Sequence, residues 1–345
     1  MLLIATGAPF LLFVQFIFQE GAMIPRQSVI ASTAFLALLS LTSATSCSPS
    51  PGSDEVSPGG TYRGSGDHRG GKIIDRVAKP VPIEQYIISS RQWKTLTDAE
   101  YLLRTRCADH FGVDYKNKPP KISTGQTITD YRYGVIDPTY AAKYGYRTPV
   151  ARESKLIEAD IKRQDELYRN LPDNVFLVLH GATREEIESN VKNPKRRDYK
   201  GKEIPKAGCN GEARRKIYGS SVASDSQVAN NINIKSYTAS MQDRQVQVVF
   251  SKWSSCMKGR GYDYKVPRDA DNDRRWMVGE ATAVEKETAK ADSECKLKFN
   301  VTGVWNKVDV ANQEKLIREH SEEMTAAKNR IKYWIARANL ELAKE

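Results

Sequence analysis

Residues Ser240 to Lys258 read SMQDRQVQVVFSKWSSCMK, and their apolar positions decide the fold class. Val246, Val249, Phe250, Trp253, Cys256 and Met257 fall at helical spacing, with Gly259 as the stop. Downstream, Ala281, Val284, Thr288, Ala291 and Cys295 form a second stripe, predicted to face the first. From Val308 onward, Ile317, Met324, Ile331 and Ala338 recur every seven residues, with His320, Ala327 and Trp334 three later. That is the pattern of one long amphipathic helix near coiled-coil periodicity. The expected fold is mainly α: a disulfide-stapled helical domain with a long C-terminal amphipathic helix.

Working back from this region, Thr97-Asp98-Ala99-Glu100 reads as a capping box with Leu96 and Tyr101 as its hydrophobic staple. The helix it would open carries Leu103, Cys107 and Phe111 on one face and stops at Gly112. A further helix is predicted from Arg152 to Asn170, with Leu156, Ile157, Ile161, Gln164, Tyr168 and Leu171 in register and Pro172 ending it. Val175 to Leu179 is a short apolar run that periodicity assigns neither to strand nor to helix. A subdivision of the folded region is drawn near residue 225.

The chain has 345 residues, 40% hydrophobic and 28% charged, with five cysteines and a net charge of +11, which excludes wholesale disorder and a miniature disulfide scaffold. Fifteen prolines and 22 glycines exclude a collagen-like chain. Two apolar stretches, Met1 to Phe18 and Ser28 to Leu41, precede the folded region. The first lacks a cationic start and carries Pro9. The second has Arg26 just after Met23, then an apolar run and the small-residue stretch TSATSC, the three parts of a signal peptide. Residues 1–22 are therefore expected to be an upstream extension and 23–46 the signal peptide, with an N-terminal membrane hairpin as the alternative. Gln19-Glu20-Gly21, which codons containing a ribosome-binding AGGAGG can encode, fits a start at Met23.

Cys47, after Ala44-Thr45-Ser46, stands where a lipidated cysteine would, although Ala44 replaces the usual leucine. Ordinary cleavage nearby is the competing reading. Residues 48–71, SPSPGSDEVSPGGTYRGSGDHRGG, are almost free of apolar side chains and read as a tether, so 47–71 is the anchor segment and 72–345 the helical extracytoplasmic domain. Removing Cys47 from the count leaves an even number, Cys107, Cys209, Cys256 and Cys295. In an exported chain these are expected to oxidise. Three pairings are open to them. Cys256 with Cys295 is preferred because both sit on consecutive helical segments, which leaves Cys107 with Cys209. No CxxC or Cys/His cluster is present, so no metal site is expected.

The block Trp253-x-x-Cys256-Met257-x-x-x-Gly261-Tyr262-x-Tyr264-x-x-Pro267, followed by Ala289-x-Ala291-Asp292-x-x-Cys295, resembles secreted actinobacterial lipoproteins of unknown function. Tyr131-Arg132-Tyr133-Gly134, Tyr144-Gly145-Tyr146 and Gly208-Cys209-Asn210-Gly211-Glu212-Ala213 are similar to the same group, and the likeness runs over roughly Trp93 to Lys332. It implies export, lipid anchoring, paired cysteines and a helical body. It brings no activity and so no catalytic residue.

His68, His110, His180 and His320 are scattered, and no HExxH, P-loop, dinucleotide fingerprint or nucleophile elbow occurs, so no cofactor is expected. Cys107 and His110 could be drawn as a thiol/imidazole pair, but an oxidised cysteine is no nucleophile. Asp109 with Asp114, or Asp292 with Glu294, could serve an envelope glycan or peptide hydrolase, which needs two carboxylates at a fixed separation. Six of the sixteen tyrosines lie between Tyr115 and Tyr146. Tyr131, Tyr133, Tyr140, Tyr144 and Tyr146 are candidates for a ligand-stacking surface, or alternatively pins that hold an irregular loop to the core. The run KNPKRRDYKGK from Lys192 to Lys202, with Lys195, Arg196 and Arg197 at its centre, could meet phospholipid headgroups, anionic wall polymers or another envelope protein. No nucleic-acid module is recognisable, and none is expected as a partner. The leading expectation is a lipid-anchored, non-catalytic binding or interaction module on the outer face of the cell membrane.

Overall fold

The computed structural model describes residues 78–119, 125–191, 194–195, 197–219, 226–276 and 279–344. Cys47, the segment before it and the tether lie outside these residues, as does Arg196. Short 3-10 turns at Pro82–Gln85 and Arg274–Trp276 punctuate an otherwise α-helical chain. The helices are α1 (Ser90–His110), α2 (Thr129–Arg132), α3 (Pro138–Tyr144), α4 (Pro149–Arg169), α5 (Asp173–His180), α6 (Arg184–Glu188), α7 (Gly208–Tyr218), α8 (Gln227–Gln242), α9 (Arg244–Lys258), α10 (Pro267–Asp271), α11 (Ala283–Lys298), α12 (Val301–Glu319) and α13 (Ser321–Leu342). A two-residue ribbon, β1 (Asp198–Tyr199) and β2 (Lys202–Glu203), pairs antiparallel between α6 and α7.

Helix α1 starts earlier than its sequence signal. Ser89 accepts from the Gln92 backbone N–H, and the Gln92 side chain accepts from Ser89 N–H at 2.8 Å, a complete capping box upstream of the one expected at Thr97. Thr97 is instead in mid-helix, its hydroxyl donating to the Trp93 carbonyl at 3.0 Å, and Leu96 is fully buried in the core rather than acting as a staple. Leu96, Ala99 and Leu103 pack on Ala213, Ile217 and Tyr218 of α7 and on Ile331, Trp334 and Ala338 of α13. The region drawn as a subdivision, 220–225, lies outside the described residues, but α1 and α13, from either side of it, pack together.

The disulfides pair as expected. Cys107–Cys209 joins the end of α1 to the start of α7, and Cys256–Cys295 joins α9 to α11, with Cα separations of 5.5 and 6.0 Å. Each lies beside a core cluster: Phe111, Val178, Leu179 and Ile204 surround the first, and Trp253, Met257, Ala291 and Trp305 the second. Near the first, Gly181 and Gly208 touch backbone to backbone. Both have positive φ, and a Cβ on Gly208 would lie 2.4 Å from the Leu179 carbonyl oxygen.

Three further expectations are corrected. The run 240–258 is not one helix: it breaks at Asp243, whose extended backbone ends α8 and whose carboxylate caps α9 at Gln245 N–H, 2.8 Å. A long C-terminal helix is present as α13, with Met324, Ile331 and Ala338 buried. The heptads from Val308, however, span two helices that meet at His320, and Ile317 on α12 is only partly buried. In α11 the stripe holds at Thr288, Ala291 and Cys295, which are buried, but its first turn departs from it. Val284 is 55% exposed while its neighbour Glu285 is fully buried. Val175 to Leu179, left undecided by periodicity, is helical and belongs to α5.

Replacing Cys256 and Cys295 by Ser is expected to lower unfolding free energy by about 3 kcal/mol in urea titrations of the full chain. Non-reducing peptide maps should show only the two pairs above; a Cys107–Cys256 peptide would contradict this fold.

Candidate functional site

The tyrosine-rich segment docks on α11 and α12 through three sets of buried charges. The first centres on Asp309 of α12, which has no solvent exposure. Arg132 grips it with Nε on Oδ2 and with Nη2 on Oδ1 at 3.1 Å, and the Tyr133 hydroxyl donates to Oδ2 at 2.9 Å. Arg132 also donates to the Asn233 side chain at 2.6 Å and lies over the Tyr237 ring at 4.8 Å. One turn along α12, Gln313 accepts from Ile83 N–H at 3.0 Å, and Asn306 bonds both backbone groups of Lys79 at 2.9 Å. Burial works against the Arg132 charge, but Asp309 outweighs it and holds the guanidinium firmly protonated. Burial and the Asp309 charge push the Tyr133 hydroxyl well above the ordinary phenol range.

The second set is Lys296, Asp292 and Asp271. Lys296 Nζ lies 2.8 Å from Asp292 Oδ2 and 3.7 Å from Asp271 Oδ1, and donates to the Val135 carbonyl at 3.3 Å. Trp253 Nε1 donates to Asp292 Oδ1 at 2.8 Å. Gly134 makes room for Asp271, because a Cβ there would stand 2.3 Å from Oδ2. Two carboxylates thus share one ammonium away from water. Burial and the Asp271 charge raise Asp292 to about 7, and Lys296 is raised as well because the two carboxylates outweigh its burial.

The third set is Glu285, fully buried, which accepts from Arg147 Nη2 at 3.2 Å and from Tyr146 N–H at 3.1 Å. These sets explain where the five candidate tyrosines lie. Tyr133 is buried on Asp309, and Tyr146 stacks on Trp276 with centroids 5.6 Å apart. Tyr131 and Tyr140 are half-buried against Val135, Ile136 and Ala289, with the Tyr140 hydroxyl donating to the Arg147 carbonyl at 2.7 Å. Tyr144, also half-buried, packs its ring 4.8 Å from that of Tyr140.

Lys192, Asn193 and Arg196 lie outside the described residues, and the end of the basic run forms the ribbon. Its turn places Lys200 and Gly201 both at positive φ, the backbone a tight two-residue hairpin requires. Lys195, Lys200 and Lys202 are exposed. Arg197 instead faces inward, making two 2.8 Å bonds to Glu186 that hold this carboxyl down at about 2. Ile204 and Tyr199 tie the ribbon to the core beside Cys107–Cys209.

The residues weighed for catalysis are dispersed. Cys107 is oxidised, Asp109 is exposed, and Asp114 is paired with Lys116. Asp292 is buried, whereas Glu294 faces Arg260 and Lys290 at the surface. A groove of about 490 Å³ runs between residues 79–86 and α12, lined by Pro82, Tyr86, Val310, Glu314, Ile317 and Arg318. Among the described residues, no helix is long and apolar enough to cross a membrane, and no three His, Cys, Asp or Glu side chains are grouped to hold a metal ion.

Fold and site together define a disulfide-stapled helical domain with a charged interior and a cationic ribbon. No family model, curated protein or solved structure matches the chain.

Asp309→Ala should cost about 3–5 kcal/mol, because it leaves Arg132 buried without its counter-charge. Tyr133→Phe should cost about 1 kcal/mol; urea unfolding checks both. His180 supplies a pH test. Its ring stacks on Phe176 at 4.3 Å, and burial followed by Arg184 and Arg104 lowers it to about 4. The folded chain therefore resists protonating it. That contribution is complete above the ordinary histidine range and is lost as pH falls through it toward 4. Stability should decline as pH drops from about 7 to about 5, and His180→Phe should flatten this decline.

Proposed function

We propose that the chain is a lipid-anchored extracytoplasmic binding module without catalytic activity, held through Cys47 and the tether 48–71. Its cationic ribbon meets anionic wall polymers or lipid headgroups. The observation that carries this reading is the ribbon itself: Lys195 just before it, Lys200 on its turn and Lys202 on β2 are exposed, Lys202 also donating to the His110 carbonyl. Ile204 and Tyr199 tie the ribbon to the core, and Arg197 pairs with Glu186 beside it. Lys206 and Arg215 are exposed just beyond it, so positive charge continues towards α7. Rigid presentation matters, because cations that are already ordered lose less entropy on contact. Two disulfides in the body suit an oxidising compartment and support export. The dispersal of the carboxylates and histidines weighed for hydrolysis supports a non-catalytic reading towards outside substrates.

The test has two arms. Mass spectrometry of the mature N-terminus should find a lipid-modified Cys47; an unmodified Cys47, or cleavage elsewhere, would remove the anchor. In the second arm, full-length Cys47→Ser chain is sedimented with anionic vesicles, neutral vesicles and isolated wall polymer. Binding should require the anionic surface. Replacing Lys195, Lys200 and Lys202 by Ala should weaken it on the order of 100-fold, at about 1 kcal/mol per cation. Equal retention by the triple variant would defeat the ribbon as the contact.

A further inference from the structure

The second buried charge set has the composition of a site for making a covalent bond. Lys296 is 1% exposed and Asp292 is fully buried, so neither group exchanges freely with water. Asp271, on a different helix, presents a buried Oδ1 that accepts no hydrogen bond and faces Lys296 Nζ at 3.7 Å. Asp292 contacts the same nitrogen at 2.8 Å and is itself fixed by Trp253. The Tyr146 hydroxyl is buried beside the two carboxylates. Gly134 leaves space for the Asp271 carboxylate where a side chain would collide. An amine, a carboxyl group and a proton carrier thus lie together, with the amine and the proton carrier shielded from bulk water and the carboxyl at the edge of the site.

We propose that Lys296 and Asp271 condense to an intramolecular amide, with Asp292 as the acid and base. The ammonium, which the two carboxylates stabilise, passes a proton to Asp292, whose burial beside Asp271 makes it the readier acceptor of the pair. The free amine lone pair forms the N–C bond at the Asp271 carboxyl carbon. Nitrogen gives up a further proton as the tetrahedral carbon collapses. One carboxyl oxygen departs as water, carrying protons relayed by Asp292. One ammonium and one carboxylate become one amide and one water, with no change of oxidation state and no added reagent. Asp271 keeps part of its side chain open to solvent, at 13% exposure, which gives the water a way out. The product removes one positive and one negative charge from the interior. It also ties α10, within the loop closed by Cys256–Cys295, to α11 one residue beyond Cys295.

The test is a tryptic map of the reduced and alkylated full chain, recovered folded from an exporting host. The expected product is a branched peptide joining residues 269–274 to 291–298, lighter than its two parts by one water and uncut after Lys296. Asp271→Ala should abolish it and restore cleavage after Lys296. Asp292→Asn should reduce the linked fraction at least tenfold while leaving circular dichroism unchanged. A wild-type map with both linear peptides and normal cleavage after Lys296 overturns the proposal. A water loss confined to 291–298 also overturns it, since that would place the bond on Asp292. The wild-type measurement decides the matter even if a variant fails to fold.

Discussion

A carboxylate with no access to water must be matched by opposite charge and hydrogen bonds, and Asp309 is where this chain meets that demand. Removing an ionised carboxylate from water costs several kcal/mol, so an arrangement that leaves Asp309 unmatched is strongly disfavoured. Arg132 and Tyr133 supply the match, and in doing so bring the segment after residue 125 onto α12. Arg132 in turn holds α8 through Asn233. Asn306 and Gln313, on the same face of α12, bond the backbone of residues 79 and 83. A single polar helix face thereby sets the positions of residues 79–83, the tyrosine segment and α8.

The same logic recurs at Glu285 and at the Lys296 set, so the tyrosine segment is held at three charged points along α11 and α12. Irregular chain between α1 and α4 would otherwise have little reason to adopt one shape. The apolar clusters do complementary work. One binds α1 to α7 and α13, and another joins α9 to α11 and α12 around a disulfide. Hydrophobic burial provides most of the favourable free energy, while the buried charges choose among packings that would bury similar area. The ribbon and its approach, by contrast, place Lys195, Lys200 and Lys202 at the surface.

Much of this was legible in the residues. Val246, Val249, Phe250, Trp253 and Met257 announced α9, and Met324, Ile331 and Ala338 announced the buried face of α13, because apolar side chains at helical spacing must turn inward. The polar interior was not legible. Asp309, Asn306, Gln313 and Glu285 look like surface residues until their partners are known. Those partners lie more than a hundred residues away, as with Arg132 and Asp309. For the same reason the first turn of the α11 stripe departs from expectation: Val284 is the greasier residue, but Glu285 has Arg147 and the Tyr146 N–H waiting for it. The signal that existed was the i,i+4 pair Asp292 and Lys296, set among alanines and serine on a helix otherwise poor in apolar residues. Helix ends were misread where two caps competed, Ser89 winning over Thr97, and where Asp243 and His320 interrupt runs that are periodic throughout.

The sequence by itself determined the helical class, the main apolar faces and that four cysteines were available for two bridges, since these follow from local spacing and from parity. Which cysteines pair was seen only in the fold. Tertiary structure alone decided which polar residues are interior, where the long runs break, and that Arg197 serves the fold while its lysine neighbours stay outside. The reason is physical. Apolar burial is nondirectional and leaves a periodic trace along the chain, whereas a buried charge is tolerable only beside a specific partner, and the fold is what brings the partner there.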